Sequence, residues 1–288
     1  MTAGTLDWGR RILMCPPRHF GVLYEINPWM SREVEVEPAR AVEQWEGLAA
    51  TLRAAGAEVV EMEAHAEVPD LVFTANAGLV NGAQFVPSHF RHPERQPETP
   101  VNMQWFSASG WRVDRLPDDI DHEGAGDALP FTPEGGRPVL LSGYSFRSDA
   151  RAATELATLL GCPVRPIQLV DPRLYHLDLT FCPLDGRRAI IAPSGWDAYG
   201  CRVVEALVPE PLVLTEEEAL SFCANSVVVD GTVVMPTTPP RVGRQLEAWG
   251  FDVVESPVGE FLKAGGGCRC LTLCLDVVLA AGVVSPRG

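Results

Sequence analysis

The sequence predicts an α/β fold of five similar units, which we expect to close into a five-bladed α/β propeller. Two observations support this prediction. Segment 73–87 aligns with segment 222–236 without gaps, and six of the fifteen positions are identical. A pattern of hairpin, helix and strand also recurs about every fifty residues, a period typical of solenoids and propellers. No polar capping repeat stands at either end, which favours a ring, although the strand–helix alternation also allows an open α/β sheet.

Each unit is expected to begin with a β-hairpin. Asn81-Gly82 and Asp230-Gly231 are two-residue turn sequences between apolar runs, which is a strong short-range hairpin signal. Asp185-Gly186 and Glu134-Gly135-Gly136 hold the same position in two other units. The hairpins therefore repeat with the period of the whole chain.

A helix and a further strand follow each hairpin. The first helix is predicted over 39–55, because Pro38 suits a helix start and Gly56 suits a stop, and strand 57–62 follows it. Four more helix–strand pairs are predicted, at 103–109 with 111–113, 150–160 with 163–167, 196–208 with 211–214, and 242–249 with 251–254. We expect one domain spanning 1–288, with strands lining the axis and helices outside.

Composition narrows the class of protein. A net charge of −15 argues against nucleic-acid or anionic-membrane partners and is compatible with a small cationic substrate. No apolar run is long enough to span a bilayer, and segment 1–11 lacks the apolar core of a signal peptide. Eight cysteines without the dense spacing of a disulfide scaffold indicate a reduced, cytoplasmic protein. No G-x-G-x-x-G opens a helix after a strand, so no dinucleotide cofactor is expected.

The stretch 263–273 contains three glycines followed by Cys268 and Cys270. It predicts a tight turn that delivers a thiol to the start of a strand, where a thiolate would be a nucleophile. Two other interpretations are open. Buried cysteines are commonly small hydrophobes, and Cys268, Cys270 and Cys274 could bind zinc, although a single Cys-x-Cys fits zinc spacing poorly.

Six polar residues share the period of the repeat, at intervals of 45 to 53 residues. They are Asn27, Asn76, Glu123, His176, Asn225 and Cys270. Each has an ordinary structural explanation as a cap, a turn or a solvated side chain. If the units close into a ring, however, all six converge at one end of its axis, and the set then predicts an active site.

Cysteine, histidine and a carboxylate suffice for nucleophilic catalysis. The Cys270 thiolate would attack an electrophilic carbon, His176 would protonate the leaving group and later activate water, and Glu123 would orient the imidazole. Asp178, with Asn76 or Asp127, would bind a cation such as a guanidinium. Carboxylates around a thiol disfavour the thiolate, so entry of the cation would couple binding to activation.

These residues resemble the guanidine-modifying, or pentein, superfamily, which includes arginine deiminases, dimethylarginine dimethylaminohydrolases, amidinotransferases and arginine dihydrolases. The resemblance covers nearly the whole chain. Gly-Gly-Gly-x-x-Cys resembles the nucleophile motif and selects Cys270 over Cys268, and His176-x-Asp178 resembles the family's His-x-Asp. Glu123 to Asp127 is similar to Glu-Gly-Gly-Asp with one residue added. The resemblance implies a five-fold propeller and a covalent thiouronium intermediate. No metal or cofactor is expected.

Substrate-binding positions are also implied by the resemblance. Segment 69–76 is similar to the family's Pro-x-x-x-Phe-x-x-Asp, which adds Asp70 and Phe73 to the site and puts Asn76 in place of the aspartate. Arg147 stands where the family has an arginine for the substrate carboxylate. Asn27 and Asn225 complete the predicted substrate-binding set. The polar loop 88–100, which carries His89, His92 and Arg95, could cover the pocket, although a solvated loop is the favoured interpretation.

Asparagine at position 76 resembles the arginine dihydrolase branch, because an amide can also accept a neutral ureido group. The predicted reaction converts free arginine to ornithine, ammonia and carbon dioxide. Dimethylarginine dimethylaminohydrolase and arginine deiminase activities are alternatives with the same chemistry. A non-catalytic arginine-binding protein is an alternative from another class. The sequence leaves the oligomeric state open.

Overall fold

The computed structural model describes residues 4–279, which form fifteen strands and seven α-helices in an α/β fold. The strands are β1 Arg11–Met14, β2 Glu58–Glu61, β3 Gly78–Asn81, β4 Gln84–Pro87, β5 Arg112–Val113, β6 Ala128–Phe131, β7 Val139–Tyr144, β8 Val164–Gln168, β9 Phe181–Pro183, β10 Arg188–Ile191, β11 Glu210–Val213, β12 Val227–Val229, β13 Thr232–Met235, β14 Asp252–Glu255 and β15 Leu273–Cys274. The helices are α1 Pro38–Ala54, α2 Glu98–Ala108, α3 Ala152–Leu160, α4 Ala198–Leu207, α5 Glu216–Leu220, α6 Pro240–Ala248 and α7 Gly259–Leu262.

The strands form five three-stranded sheets with one shared topology. In each sheet a central strand pairs antiparallel with one neighbour and parallel with the other. A helix connects the central strand to its parallel neighbour, as in β4-α2-β5 and β7-α3-β8. The predicted unit of hairpin, helix and strand is therefore present in four of the sheets. The prediction that every unit begins with a hairpin is wrong for the first sheet, where the antiparallel neighbour of β1 is β15.

The first sheet is completed by the other end of the chain. Its central strand β1 pairs parallel with β2 and antiparallel with β15, so that Ile12 lies opposite Cys274. The hydrogen bond from the amide of Leu275 to the carbonyl of Arg11 extends this pairing. The thiol-bearing turn before β15 is thus held in the sheet that contains the first strand.

Burial separates the inner strands from the outer ones. Strands β3, β6, β9, β12 and β15 are buried at every residue, whereas the parallel strands β2, β5 and β14 contain only exposed and half-buried residues. The helices pack against the outer parts of the sheets, for example where Phe106 of α2 stacks on Phe85 of β4 with ring centroids 3.6 Å apart. Apolar burial along the hairpins and helices is the main favourable contribution to such a core.

The helix that differs most from its prediction is α2, which begins at Glu98 rather than at 103. Pro100 lies in its first turn, where the backbone N–H has no intrahelical partner, so the proline does not interrupt the helix. The short helix α5 was not predicted. It begins with a capping box, in which the Thr215 hydroxyl accepts from the amide of Glu218 and the Glu218 carboxylate accepts from the amide of Thr215.

Five of the six polar residues that share the repeat period occupy equivalent places in the fold. Asn76, Glu123, His176, Asn225 and Cys270 each lie in the short turn that leads into an inner strand. Asn27 lies instead in the loop between β1 and α1. Because this turn recurs in every unit, five distant parts of the chain contribute to the same end of the structure. Across residues 4–279, no helix is both long and apolar enough to cross a membrane.

Candidate active site

The five turns are joined to one another by a cycle of hydrogen bonds. Each sheet's turn contacts the turn of the next sheet, and the last contacts the first. The contacts are Asn76 Nδ2 to the carbonyl of Glu123 (3.1 Å), the amide of Leu177 to Asp127 Oδ1 (3.1 Å), Asn225 Nδ2 to the carbonyl of Asp178 (3.2 Å), the amide of Arg269 to the carbonyl of Asn225 (3.1 Å), and the amide of Ala75 to the carbonyl of Cys270 (3.1 Å). Residues separated by up to 195 positions are fixed at hydrogen-bond distance by this cycle.

A pocket of about 270 Å³, counted with the space at its mouth, opens at this end of the structure. Its lining contains the predicted residues Asn27, Asp70, Phe73, Asn76, Arg147 and Cys270, together with Ile26, Arg95, Tyr175, Ala264 and Gly266. The lining combines one thiol, one carboxylate and two guanidinium groups with aromatic and amide surface. Such a pocket suits a small zwitterionic ligand better than an apolar one.

Cys270 is buried, and its sulfur lies between two polar partners. The thiol donates to Asp178 Oδ2 at 3.3 Å, and Asn225 Nδ2 donates to the sulfur at 3.2 Å. Burial and the neighbouring Asp178 carboxylate raise the pKa of the Cys270 thiol well above its usual value. The turn that carries it needs Gly265, because the backbone φ there is +83° and a Cβ would lie 2.8 Å from Tyr175 Oη.

His176 and Glu123 form a buried pair, with Nε2 and Oε2 2.9 Å apart. The same carboxylate oxygen accepts a hydrogen bond from Arg147 Nη1 at 2.9 Å. Burial opposes ionisation of Glu123, but Arg147 and His176 outweigh it, so the pKa of this carboxyl lies below its usual range. A carboxylate that stays ionised can orient the imidazole and stabilise its protonated form.

The structure gives Arg147 and Asp127 partners within the protein. Arg147 lines the pocket, but its guanidinium also donates to the carbonyl of Ile26 at 2.9 Å and stacks over the Tyr175 ring at 4.7 Å. Asp127 accepts from Ser148 Oγ at 2.6 Å and from the amide of Leu177 at 3.1 Å. Both residues therefore hold the site together, and their predicted contacts with substrate stay predictions.

Asn76 has both ends of its amide occupied. Its Nδ2 donates to the carbonyl of Glu123, and its Oδ1 accepts from Arg95 Nη1 at 3.0 Å. Arg95 in turn makes a two-point ion pair with Glu98, at 2.7 and 2.8 Å. The amide plane of Asn76 is thus fixed by a buried Arg–Glu pair behind it.

Asn27 supports the pocket through the loop that carries it. Its Nδ2 donates to the carbonyl of Ala264 at 3.0 Å and lies 3.4 Å from Tyr175 Oη. Tyr175 donates to the carbonyl of Gly265 at 2.8 Å. Segment 26–30 is thereby held against the glycine turn that precedes the cysteines.

Three buried carboxylate oxygens at the site have no hydrogen-bond partner among the described residues. They are Asp70 Oδ1, on a carboxylate that lines the pocket, and Glu123 Oε1 and Asp178 Oδ1, on the carboxylates that contact His176 and Cys270. Buried acceptors without partners are rare, because each costs free energy unless a donor is supplied. The N–H groups of a guanidinium, arranged in a planar fork, are donors suited to such oxygens.

Sequence reasoning missed Arg95 and Glu98 as parts of the site. The interpretation of 88–100 as a solvated loop is wrong for Arg95, whose side chain is buried and lines the pocket. The available signal was the i,i+3 spacing of Arg95 and Glu98, which allows the two-point ion pair. Polar composition alone does not distinguish such a pair from a solvated face.

The three cysteines near the C-terminal end have separate partners. Cys268 donates to the carbonyl of Ser256 at 3.4 Å, whereas Cys274 accepts from Arg269 Nη1 at 3.2 Å. Within residues 4–279, no group of three or more His, Cys, Asp or Glu side chains has an arrangement that could hold a metal ion. The zinc alternative therefore has no geometric support in this part of the chain.

The substitution Asp178→Asn is expected to remove a pH dependence of stability. Burial raises the pKa of Asp178 from 3.8 to about 7, although the Cys270 hydrogen bond partly offsets it. The folded state therefore holds this proton more tightly than the unfolded state. The stability that protonated Asp178 contributes is fully present below pH 3.8 and is lost as the pH rises to about 7, a decline of roughly 4 kcal/mol from this group.

Urea unfolding midpoints at pH 4.5 and pH 8 measure this effect. The wild-type midpoint should fall more between these pH values than that of Asp178→Asn. A residual decline is expected in the variant, because burial also raises the pKa of Asp127 to about 6. Equal declines in both proteins would contradict the assignment to Asp178.

The fold of repeated three-stranded units, with a buried cysteine, histidine and two acids at one end, defines the class: this is a guanidine-modifying, pentein-type protein. The profile of the family described as "N,N dimethylarginine dimethylhydrolase, eukaryotic" matches residues 25–276. The chain belongs to this family, and the predicted resemblance is confirmed.

Two curated relatives match most of this chain. One is the bifunctional arginine dihydrolase/ornithine cyclodeaminase ArgZ of Synechocystis sp., which is 44% identical over 91% of this chain. This chain spans only 37% of the length of that relative. The other is the N(G),N(G)-dimethylarginine dimethylaminohydrolase of Mycobacterium tuberculosis, 38% identical over 92% of this chain and 85% of the relative.

A solved structure has the same fold. The N-terminal domain of ArgZ, a cysteine-to-serine mutant bound to substrate, is described as an arginine dihydrolase from the Ornithine-Ammonia Cycle in Cyanobacteria. It aligns with a TM-score of 0.88 and 41% identity, covering 94% of this chain and 99% of that domain.

Proposed function

We propose that this chain is a cysteine-dependent hydrolase of the guanidinium group of free arginine, and specifically an arginine dihydrolase. The observation that carries the proposal is the Cys270 sulfur, held by Asp178 and Asn225 at a pocket that Asn76 also lines. Identity of 44% to a relative named as an arginine dihydrolase supports the choice of reaction. A cytoplasmic location stays a prediction from cysteine use.

We further propose that the five sheets are the blades of one closed propeller. The pairing of β15 with β1 supports this, because the segment that follows the fifth sheet along the chain adds its strand to the first sheet. The cycle of hydrogen bonds among the five inner turns supports it independently. In an open sheet, the turns at opposite ends would not be expected to contact each other.

The first half of the reaction begins with binding of the guanidinium. The unpartnered oxygens of Glu123 and Asp178 accept its N–H groups, and the added positive charge favours the Cys270 thiolate. The thiolate attacks the guanidinium carbon, and His176 donates the proton with which ammonia leaves. A thiouronium group is then linked to Cys270. Water, deprotonated by His176, attacks that carbon and releases citrulline.

The second half hydrolyses the ureido group of citrulline at the same site. Over both halves, arginine and two waters give ornithine, carbon dioxide and two ammonia molecules. A ureido group is neutral and has an acceptor oxygen where the guanidinium has a donor. The second N–H of the Asn76 amide, which its hydrogen bond to Glu123 does not use, can donate to that oxygen, whereas a carboxylate would repel it. The α-carboxylate of the substrate is expected to meet Arg147 or Arg95 in the pocket lining.

Parallel incubation with arginine, citrulline and asymmetric dimethylarginine tests the proposal. We expect two ammonia molecules and one ornithine for each arginine consumed, measured by amino-acid analysis and an ammonia assay. A Cys270→Ser sample is the control for background hydrolysis. Arginine that is bound but not consumed would overturn the proposal in favour of an arginine-binding protein.

Dimethylarginine dimethylaminohydrolase activity is the second candidate, and the 38% identity to the Mycobacterium tuberculosis relative favours it. It converts dimethylarginine and water to citrulline and dimethylamine. Release of dimethylamine from dimethylarginine, with no ornithine formed from arginine, would select this candidate. Citrulline accumulating from arginine with one ammonia would instead select a deiminase.

A further inference from the structure

We propose that Asn225 is the hydrogen-bond donor that stabilises the Cys270 thiolate, rather than a ligand of the substrate. The inference rests on the proposed nucleophilic role of Cys270 and assigns a function to a residue predicted only as substrate-binding. The observation that points to it is the contact from Asn225 Nδ2 to the Cys270 sulfur at 3.2 Å. Because Asn225 touches the reacting atom, we class it as a catalytic residue.

The orientation of the Asn225 amide follows from its other hydrogen bonds. Its Oδ1 accepts from the backbone amides of Arg269 at 3.0 Å and Cys270 at 3.2 Å. Only the oxygen can face two N–H donors, so the NH₂ group must face the opposite side. One of its protons reaches the carbonyl of Asp178 and the other reaches the sulfur.

The chain fixes Asn225 in this place from both sides. The turn that carries it contains Phe222 with a backbone φ of +63°, an uncommon conformation for a side chain of that size. The amide of Asn225 donates to the carbonyl of Phe222 at 2.8 Å. Opposite, Gly267 leaves room for the amide, because a Cβ there would lie 2.7 Å from Asn225 Oδ1.

A substrate-binding role has less support than this one. Asn225 is completely buried, as are Glu123 and Asp178, but unlike those two carboxylates it has no side-chain polar atom without a hydrogen-bond partner. The hydrogen bonds just described occupy both of its N–H groups and engage its oxygen twice. No donor of its amide is left for a ligand, so the contact with the sulfur is its chemical function.

The hydrogen bond from Asn225 affects the protonation state of the Cys270 sulfur. Its other polar partner, Asp178 Oδ2, can accept a proton from the thiol but repels a thiolate when it is itself ionised. Asn225 Nδ2 donates to the sulfur in either state, and a donor is worth more to an anion than to a neutral thiol. Asn225 should therefore lower the pKa of Cys270 relative to a site without it.

Alkylation of Cys270 as a function of pH tests this without any substrate. The rate of iodoacetamide labelling between pH 6 and pH 10.5, followed by mass spectrometry of the peptide that contains Cys270, reports the thiolate fraction. We expect Asn225→Ala to raise the apparent pKa by about one unit, the size of a lost charge-assisted hydrogen bond. Asn225→Asp should raise it further, because a carboxylate oxygen replaces the donor.

Asn225→Ala also separates donation from a purely structural role. If Asn225 only held the turn, this variant would lose stability in urea but keep the wild-type thiol pKa, and that result would overturn the inference. Asn225→Asp does not make this distinction, because its carboxylate would repel the thiolate in either case. Retained near-UV circular dichroism would show that the variants are folded.

Arginine binding provides the second readout. In a Cys270→Ser background, Asn225→Ala should bind arginine within about threefold of the parent, measured by calorimetry. A loss of binding of tenfold or more would instead make Asn225 a substrate ligand and overturn the inference. Because labelling does not require turnover, a protein with no activity on arginine would contradict the proposed function while leaving the labelling result interpretable.

Discussion

Cys270→Ser is expected to lower turnover of arginine by at least about a thousandfold, because a hydroxyl is a far weaker nucleophile than a thiolate. Binding should survive, since Cys270 is only one of the groups that line the pocket. Initial rates of ornithine release measure the first effect, and calorimetric titration with arginine measures the second. Retained turnover would show that another group attacks the guanidinium carbon.

Cys268→Ser is the matched control, because Cys268 lies two residues away and is equally buried. Its sulfur donates to the carbonyl of Ser256 at 3.4 Å, a bond that a serine hydroxyl can replace. We expect turnover within about threefold of wild type and a loss of less than about 1 kcal/mol in stability. An equal loss of turnover in both variants would remove the distinction between the two thiols.

Arg147→Met is expected to cost about 3–5 kcal/mol of stability, because it leaves the Glu123 carboxylate buried with less compensation. The ion pair is 2.9 Å long, and the two side chains are 3% and 0% exposed, so water cannot replace the lost guanidinium. Chemical unfolding in urea at pH 7 measures the difference.

Two controls distinguish burial of the charge from loss of a cation in general. Arg115→Met breaks an exposed pair with Asp118 and should cost less than about 1 kcal/mol. The double variant Arg147→Met/Glu123→Gln removes both buried charges and should recover part of the stability lost in the single variant. If the double variant were less stable than the single one, charge burial would not explain the loss.

The pH dependence of this variant has a definite sign. The folded-state pKa of Glu123 is lowered below its ordinary value of 4.5 by Arg147 and His176, which outweigh burial. The stability that ionised Glu123 contributes is therefore present above pH 4.5 and is lost as the pH falls below it. The loss of stability caused by Arg147→Met should therefore be largest at neutral pH. The difference in the free energy of unfolding between wild type and variant should be smaller at pH 4.

Much of the fold could be predicted because the repeat has its own local chemistry. The first helix was predicted over 39–55 and is observed as Pro38–Ala54, since proline and glycine determine where a helix begins and ends. Asn81-Gly82 forms the expected tight hairpin between β3 and β4. The completion of the first sheet by β15 was not predicted, because strand pairing across the whole chain has no local signal.

The site was predictable where residue type and spacing coincide. Glu123, His176 and Cys270 share the repeat period, and the structure brings each into a buried contact with another polar residue of the predicted set. Arg95 was missed, since its loop has the composition of solvated surface. Its burial depends on Glu98 and Asn76, which come from a helix and from another turn.

The sequence by itself determined the repeating unit, the family and the candidate reactive groups, because these depend on residue type and spacing along the chain. The tertiary structure alone decided which groups form hydrogen bonds and ion pairs with one another. Arg147 pairs with Glu123, and Asn225 donates to the sulfur of Cys270, across 24 and 45 positions. Hydrogen bonds depend on distances and angles of a few ångströms and degrees, and only the packed fold sets these for side chains so far apart in sequence.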